Sequence, residues 1–329
     1  MIAKRERLEA AIAGQRGDRP PVALWRHFPV DDQDPRGLAE ATLAFQQVHD
    51  FDFVKVTPAS SYCLKDWGAQ DDWQGSTEGT RRYGRRVIER PRDWQDLPQI
   101  APTEGHLGAM LSALEVIVKG VGPDVPVIQT VFAPLAQAKN LAGSKLLREH
   151  WESAPQALAE GLATITATTA AFVRAAAETG IAGIFYAVQH ATEDWCDLAT
   201  YRLRAERHDR AILESAGTFW LNVLHLHGSR LHFALAADYD VQVVNWHDRT
   251  AGPSLAAARR LAGGKALCGG LRRNETLVLG DPATVRAEAS EAYQATSGNG
   301  WILGAGCVVP IIAPRANLLT ARRAVDGFA

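Results

Sequence analysis

The sequence predicts an α/β fold: a single (β/α)8 TIM barrel spanning residues 1–329, with a hairpin excursion after its second strand. Three observations predict it. Eight short apolar runs recur along the chain, most of them apolar on both faces, as parallel strands buried on both sides require. Stretches of helical spacing rich in alanine fill the gaps between the runs. The chain has 329 residues, 47% of them hydrophobic and 22% charged, which is enough to bury one large core.

The runs are PVALWRHF (21–28), FDFVKVTP (51–58), PVIQTVFA (126–133), GIAGIFYAV (180–188), LNVLHLHG (221–228), VQVVNWHD (241–248), KALCGGLR (265–272) and GWILGAGC (300–307). Helices are expected over 34–50, 103–120, 144–180, 253–264 and 281–297, the last opening on an Asp-Pro pair suited to a helix start. Residues 314–329 form the closing helix. Residues 59–105 break the pattern. Their glycines and alternation in GTRRYGRRVIERPRDWQDLP predict a hairpin over the barrel mouth.

Arg81, Arg82, Tyr83, Arg85, Arg86 and Arg90 interleave basic and aromatic residues in this excursion. With a net charge of -2 over the whole chain, a solvated hairpin is expected rather than a nucleic-acid surface. No apolar run reaches the roughly 20 residues that span a bilayer. The charged, helix-forming segment MIAKRERLEAAIAGQRGDRPP does not resemble a signal peptide. Four widely spaced cysteines suit free thiols or metal ligands rather than a disulfide framework. A cytoplasmic protein acting on a small molecule, with neither nucleic acid nor membrane as partner, is the expectation.

In such a barrel the chemistry belongs at the carboxyl ends of the strands. Five histidines fall on four of those ends: His27, His190, His225, His227 and His247. His225 and His227, two apart on a strand, point to one face. Cys307, ending the eighth run, is placed to complete a metal triplet with an open fourth position. Two buried histidines bonded to carbonyls beside a core cysteine would give the same pattern. His190, His247 and Asp248 are candidates for moving a proton. Arg26 and Arg272 are candidates for gripping a carboxylate or phosphate, with His27, Gln189 and Asn245 beside them as further substrate contacts. Arg273 is a further candidate for the anion and reads equally as a rim ion pair, and Glu193 and Asp194 are candidates for general acid or base that read more readily as helix N-terminal charges.

These residues carry a family resemblance. RPPVALWRHFP and FDFVKVTP resemble the opening of uroporphyrinogen decarboxylases. HLHG, VVNWHD, CGGLRR, LVLGDPATVRAEA and GWILGAGCVVPIIAPRANLLTARRAV resemble that superfamily's second half in order and spacing. The resemblance covers nearly the whole chain and implies the barrel fold and a homodimer. It does not imply the reaction for which the family is named. VTPASS (56–61) lacks the aspartate expected after strand two, Asn140 falls near the place of a family tyrosine, and Gly306 that of a family histidine.

The methylcobalamin-dependent methyltransferases of the superfamily are similar at the other end of the cavity. There H-x-C-G on strand five and a cysteine at strand eight bind zinc. The matching positions are His225, His227 and Cys307, so the middle cysteine is a histidine in this chain. The resemblance therefore implies a zinc site, a corrinoid as methyl donor, a corrinoid protein as partner, and a thiol or hydroxyl substrate. A decarboxylase-like lyase and a non-catalytic tetrapyrrole- or corrinoid-binding protein are the alternatives. In the lyase, Arg26 and Arg272 would hold a polycarboxylate and His190 or His247 would move the proton.

Overall fold

The structure is a computed structural model describing residues 2–328, so Met1 and Ala329 of the expected domain lie outside it. The chain opens with α1 (Lys4–Ile12) and α2 (Pro35–His49), followed by β1 (Val54–Val56). A short pair, β2 (Gln70–Asp72) and β3 (Arg82–Arg85), precedes α3 (Gly105–Val121) and β4 (Val127–Phe132). Then come α4 (Pro134–Ala142), α5 (Ser144–Ser153), α6 (Pro155–Ala177) and β5 (Gly183–Val188). Two short helices, α7 (Leu198–Tyr201) and α8 (Arg207–Ser215), lead to β6 (Val223–Leu226), α9 (Leu235–Asp238) and β7 (Val243–Trp246). The chain ends with α10 (Leu255–Leu261), β8 (Ala266–Leu271), α11 (Pro282–Thr296), β9 (Trp301–Ala305) and α12 (Arg315–Ala324).

Seven strands form one parallel sheet in the order β1-β4-β5-β6-β7-β8-β9. All of their residues are buried, because helices cover the outer face and side chains fill the inner one. Seven of the eight predicted runs coincide with these strands.

The first run does not form a strand. Residues 21–23 instead join the two edges of the curled sheet through single bonds. Leu303 N donates to Pro21 O at 2.8 Å, Ala23 N to Leu303 O at 3.0 Å, and Asp52 N to Val22 O at 2.9 Å. Pro20 and Pro21 bring no N–H, so no ladder can extend through them. The Asp52 carboxylate takes over the missing pairing. It is fully buried and accepts from Val22 N at 2.8 Å, Arg7 at 2.6 Å and Arg19 at 2.8 and 3.0 Å.

The single helix expected over 144–180 is two helices. Pro155 forces Ala154 out of helical geometry (φ -137°, ψ 50°), since the residue before proline is sterically barred from it. Opposite, Asp209 on α8 lies fully buried and accepts from the hydroxyls of Tyr186, Tyr201 and Tyr239, each at 2.6 Å, tying α7 and α8 to the sheet. Within 59–105, β2 and β3 pair antiparallel with a register shift at Gln70/Asp71. This segment packs against the loops that follow β1 and β9. Ile311 N donates to Thr77 O at 2.8 Å, and Tyr83 Oη and Ser60 Oγ are 3.0 Å apart. No described helix is long and apolar enough to cross a membrane.

Candidate active site

A cavity of about 700 Å³ opens at the carboxyl ends of β1, β4, β5 and β6, bounded on its outer side by the β2/β3 segment. His27, Gln189, His225, His227 and Cys307 of the predicted residues line it. Gly79, with φ +74°, presses the outer segment onto this wall. A Cβ there would lie 2.5 Å from the His27 Cβ.

On that wall, ligand atoms of His225, His227 and Cys307 all lie within 4.8 Å of one another. His225 Nε2 stands 3.4 Å from His227 Nδ1, which is 3.7 Å from the Cys307 Sγ. His225, next to last in β6, is turned inward by the strand's alternation, and His227 continues the same face just beyond the strand. Cys307 reaches them because the loop after β9 passes very close to β7. A Cβ on Gly306 would sit 2.8 Å from the His247 Cα and 3.0 Å from the Trp246 carbonyl oxygen.

Asn245, on the neighbouring strand, fixes the tautomer of His225. Its Nδ2 donates to the carbonyls of Cys268 at 2.9 Å and Ala305 at 3.0 Å, so both amide hydrogens are used. The Oδ1 must then accept from His225 Nδ1, 2.7 Å away. His225 Nε2 is left with its lone pair aimed at the triplet, as a metal ligand requires.

The triplet is electrostatically coupled. Burial pushes the Cys307 thiol up, yet the His225 and His227 imidazoles it faces hold it well below its ordinary value. Burial also opposes charge on His227, but the Cys307 sulfur raises it above the usual imidazole range. His225 is lowered by burial. Burial drives His27 to about 4, helped by Lys55, and drives His190 to about 4, helped by Lys139. Apart from the triplet, the cavity is markedly basic: Lys55, Arg81, Arg82, Arg86, Lys139 and Arg273 line it against one acid, Glu78.

Other predicted residues lie elsewhere. Arg26 turns away from the cavity, donates to Ile311 O at 3.1 Å and stacks over Phe28 at 5.3 Å and Phe45 at 5.7 Å. Arg272 is bound to Glu288 of α11 and lines a separate cavity of about 310 Å³ with His247 and Asp248. Asp248 accepts from Gly270 N at 3.2 Å, with its acid raised to about 6 by burial. His247 stays beside the triplet, its ring 5.3 Å from that of His227. His190 packs edge-on to Trp195 at 5.2 Å. Asp194 pairs with Arg230, and Glu193 lies 4.0 Å from the same guanidinium, both at the exposed rim.

Sequence reasoning passed over Lys55 and Lys139. Lys55 had a visible signal, being the one charge in the centre of an apolar run, FVKVT. Lys139 lies on α4, which was not anticipated.

The uroporphyrinogen decarboxylase (URO-D) family model matches residues 3–328. The chain is 24% identical over 345 residues to the methylcobamide:CoM methyltransferase MtaA of Methanosarcina barkeri (strain Fusaro / DSM 804), covering 98% of both. It is 23% identical over 344 residues to a protein of the same name from Methanosarcina barkeri, again covering 98% of both. Among solved structures, a methyltransferase from Methanosarcina mazei superposes with a TM-score of 0.87 at 20% identity, covering 100% of this chain and 99% of that one. A B12-independent methionine synthase from Shewanella sp. W3-18-1 superposes with a TM-score of 0.59 at 10% identity, covering 89% and 86%.

Proposed function

The chain belongs to the uroporphyrinogen decarboxylase family, and from that premise we propose that it is a zinc-dependent methyltransferase acting on a thiol or hydroxyl substrate. The observation that carries this reading is the convergence of His225, His227 and Cys307 on the cavity wall. Likeness along both full lengths to proteins named as methylcobamide:CoM methyltransferases supports it, and a corrinoid on a partner protein is the methyl donor those names suggest.

The donors fit zinc, being two imidazole nitrogens and one cysteine sulfur on the cavity wall, and a metal they held would face the space where a substrate could bind. Zinc held there would act as a Lewis acid, lowering the pKa of a substrate thiol or hydroxyl at the open place. The chain's own residues do the remainder. Asn245 holds the His225 ring and its proton in place. The imidazoles that Cys307 faces favour its thiolate form over the thiol. His227, in place of a second cysteine, leaves the donor set with one negative charge fewer. The β2/β3 segment, held close to His27 at Gly79, walls the outer side of the cavity. We also read residues 21–23 as the eighth stave of a closed barrel, on the strength of their bonds to both sheet edges. A lyase holding a polycarboxylate between Arg26 and Arg272 is not supported, since neither lines the main cavity.

Metal analysis tests the reading. Protein purified without a histidine tag should hold about one zinc per chain, and Cys307→Ser should lose most of it, because an alcohol is a far poorer ligand than a thiolate. Substoichiometric zinc, unchanged by that substitution, would remove the metal and the methyltransferase reading built on it.

A further inference from the structure

Three lysine or arginine residues are buried among the described residues: Arg7, Arg19 and Lys55. Arg7 and Arg19 share the Asp52 carboxylate at 2.6–3.0 Å. Lys55 has no carboxylate. Its Nζ meets the Thr57 hydroxyl at 3.2 Å and otherwise faces the rings of Phe185 at 4.6 Å and Trp25 at 5.7 Å. An ammonium has three N–H donors, so two are left without a protein acceptor. The indole Nε1 of Trp25, buried on the same wall, also lacks a partner.

The other cations of the cavity are engaged. Arg273 pairs with Glu78, and Arg81 lies 3.2 Å from Asp71 and 3.6 Å from Asp32. Arg86 donates to the carbonyls of Lys139 and Asn140 at 3.4 and 2.6 Å, and Lys139 donates to Asn140 Oδ1 at 2.9 Å. Arg82 is exposed. The wall around Lys55 therefore offers donors and aromatic faces with no carboxylate among them, and the Cys307 sulfur is the negative group that acts on the amine, without a hydrogen bond to it. A buried charge without a partner is expensive, and burial accordingly pushes this amine down to about 7. A bound anion would restore its full charge.

We propose that Lys55 is the specificity-determining counter-ion for an acidic group of the substrate. The cavity then selects molecules that carry, besides the atom to be methylated, a carboxylate, sulfonate or similar oxyanion reaching the β1 wall. This inference rests on the reading of the cavity as a methyl acceptor's site.

Calorimetric binding of 3-mercaptopropionate and 4-mercaptobutyrate, each against its uncharged amide, tests it in the wild type, Lys55→Met and Cys307→Ser. The acid of at least one length should bind the wild type about tenfold or more tighter than its amide, the worth of one charge-assisted hydrogen bond. Lys55→Met should erase that preference and melt no lower than the wild type, since it removes an unpaired buried charge. Cys307→Ser should weaken acids and amides alike and keep their ratio. If Cys307→Ser weakens neither, the metal reading fails while the role of Lys55 stands. A preference absent from the wild type, or surviving in Lys55→Met, overturns the inference. A second measurement needs no variant: acetylation of Lys55 by acetic anhydride, followed by mass spectrometry, should be slowed by the acid and not by the amide. Equal rates would also overturn it.

Discussion

Asn245 Oδ1 lies 2.7 Å from His225 Nδ1, and the same side chain reaches the carbonyls of Cys268 on β8 and Ala305 on β9. One amide thus sets the protonation of a ring on β6 and laces three further strands together. Asn245→Ala should lower zinc affinity by roughly 10- to 100-fold, the usual effect of losing a residue that orients a metal-bound histidine. Competition with a chromogenic chelator would measure it, and unchanged affinity would mean that His225 is held by other means.

Gly79 holds the outer segment close to His27. Gly79→Ala places a methyl against His27 and demands a positive φ of a residue that resists it, at a local cost of more than about 1 kcal/mol. The expected result is a barrel that melts as a unit near the wild-type temperature, with faster proteolysis between residues 73 and 80 and weaker binding of thiol probes. Wild-type proteolysis rates would show that the contact is dispensable.

Asp209 supplies a pH dependence. Burial raises its acid from 3.8 to about 6, although three tyrosine hydroxyls favour the carboxylate. A pKa raised on folding contributes stability that is present in full below the unfolded value near 4 and is lost as pH rises through about 6. The stability of the wild type relative to Asp209→Asn should therefore fall between pH 4 and 7.5, by up to ~3 kcal/mol. Urea titrations of both proteins across this range would measure it. A rise over the same interval would contradict the assignment.

Asp52 holds the seam between residues 21–23 and the edge of the sheet. Asp52→Ala leaves Arg7 and Arg19 buried without their carboxylate, which should cost about 3–5 kcal/mol. Denaturant unfolding checks it. A loss below about 1 kcal/mol would show that water or Asp18 replaces the lost partner.

Seven strands were legible because parallel strands covered on both faces leave uninterrupted apolar runs, and their alternation also marked His225 and His227 as sharing a face. The first run was apolar in the same way, but composition does not reveal that Pro20 and Pro21 deny it a ladder. Without a ladder the alternation that would aim Arg26 inward does not apply, and the guanidinium settled over Phe28 and Phe45. Arg272 was misplaced for a different reason. Its direction is set by Glu288, sixteen residues on and on another element. Lys55 was overlooked because its meaning depends on what is not beside it, and only the folded cavity shows that no carboxylate approaches.

The placement of Cys307 just beyond the last strand has a consequence for biosynthesis. His225 and His227 emerge from the ribosome some eighty residues before the thiol that completes their set, and Asn245 gains its Ala305 anchor only when β9 docks. A partly made chain can offer two imidazoles, too few for tight capture of a transition metal. Metal uptake would then come after the final strand has joined, making loading a record that the sheet has closed in correct register.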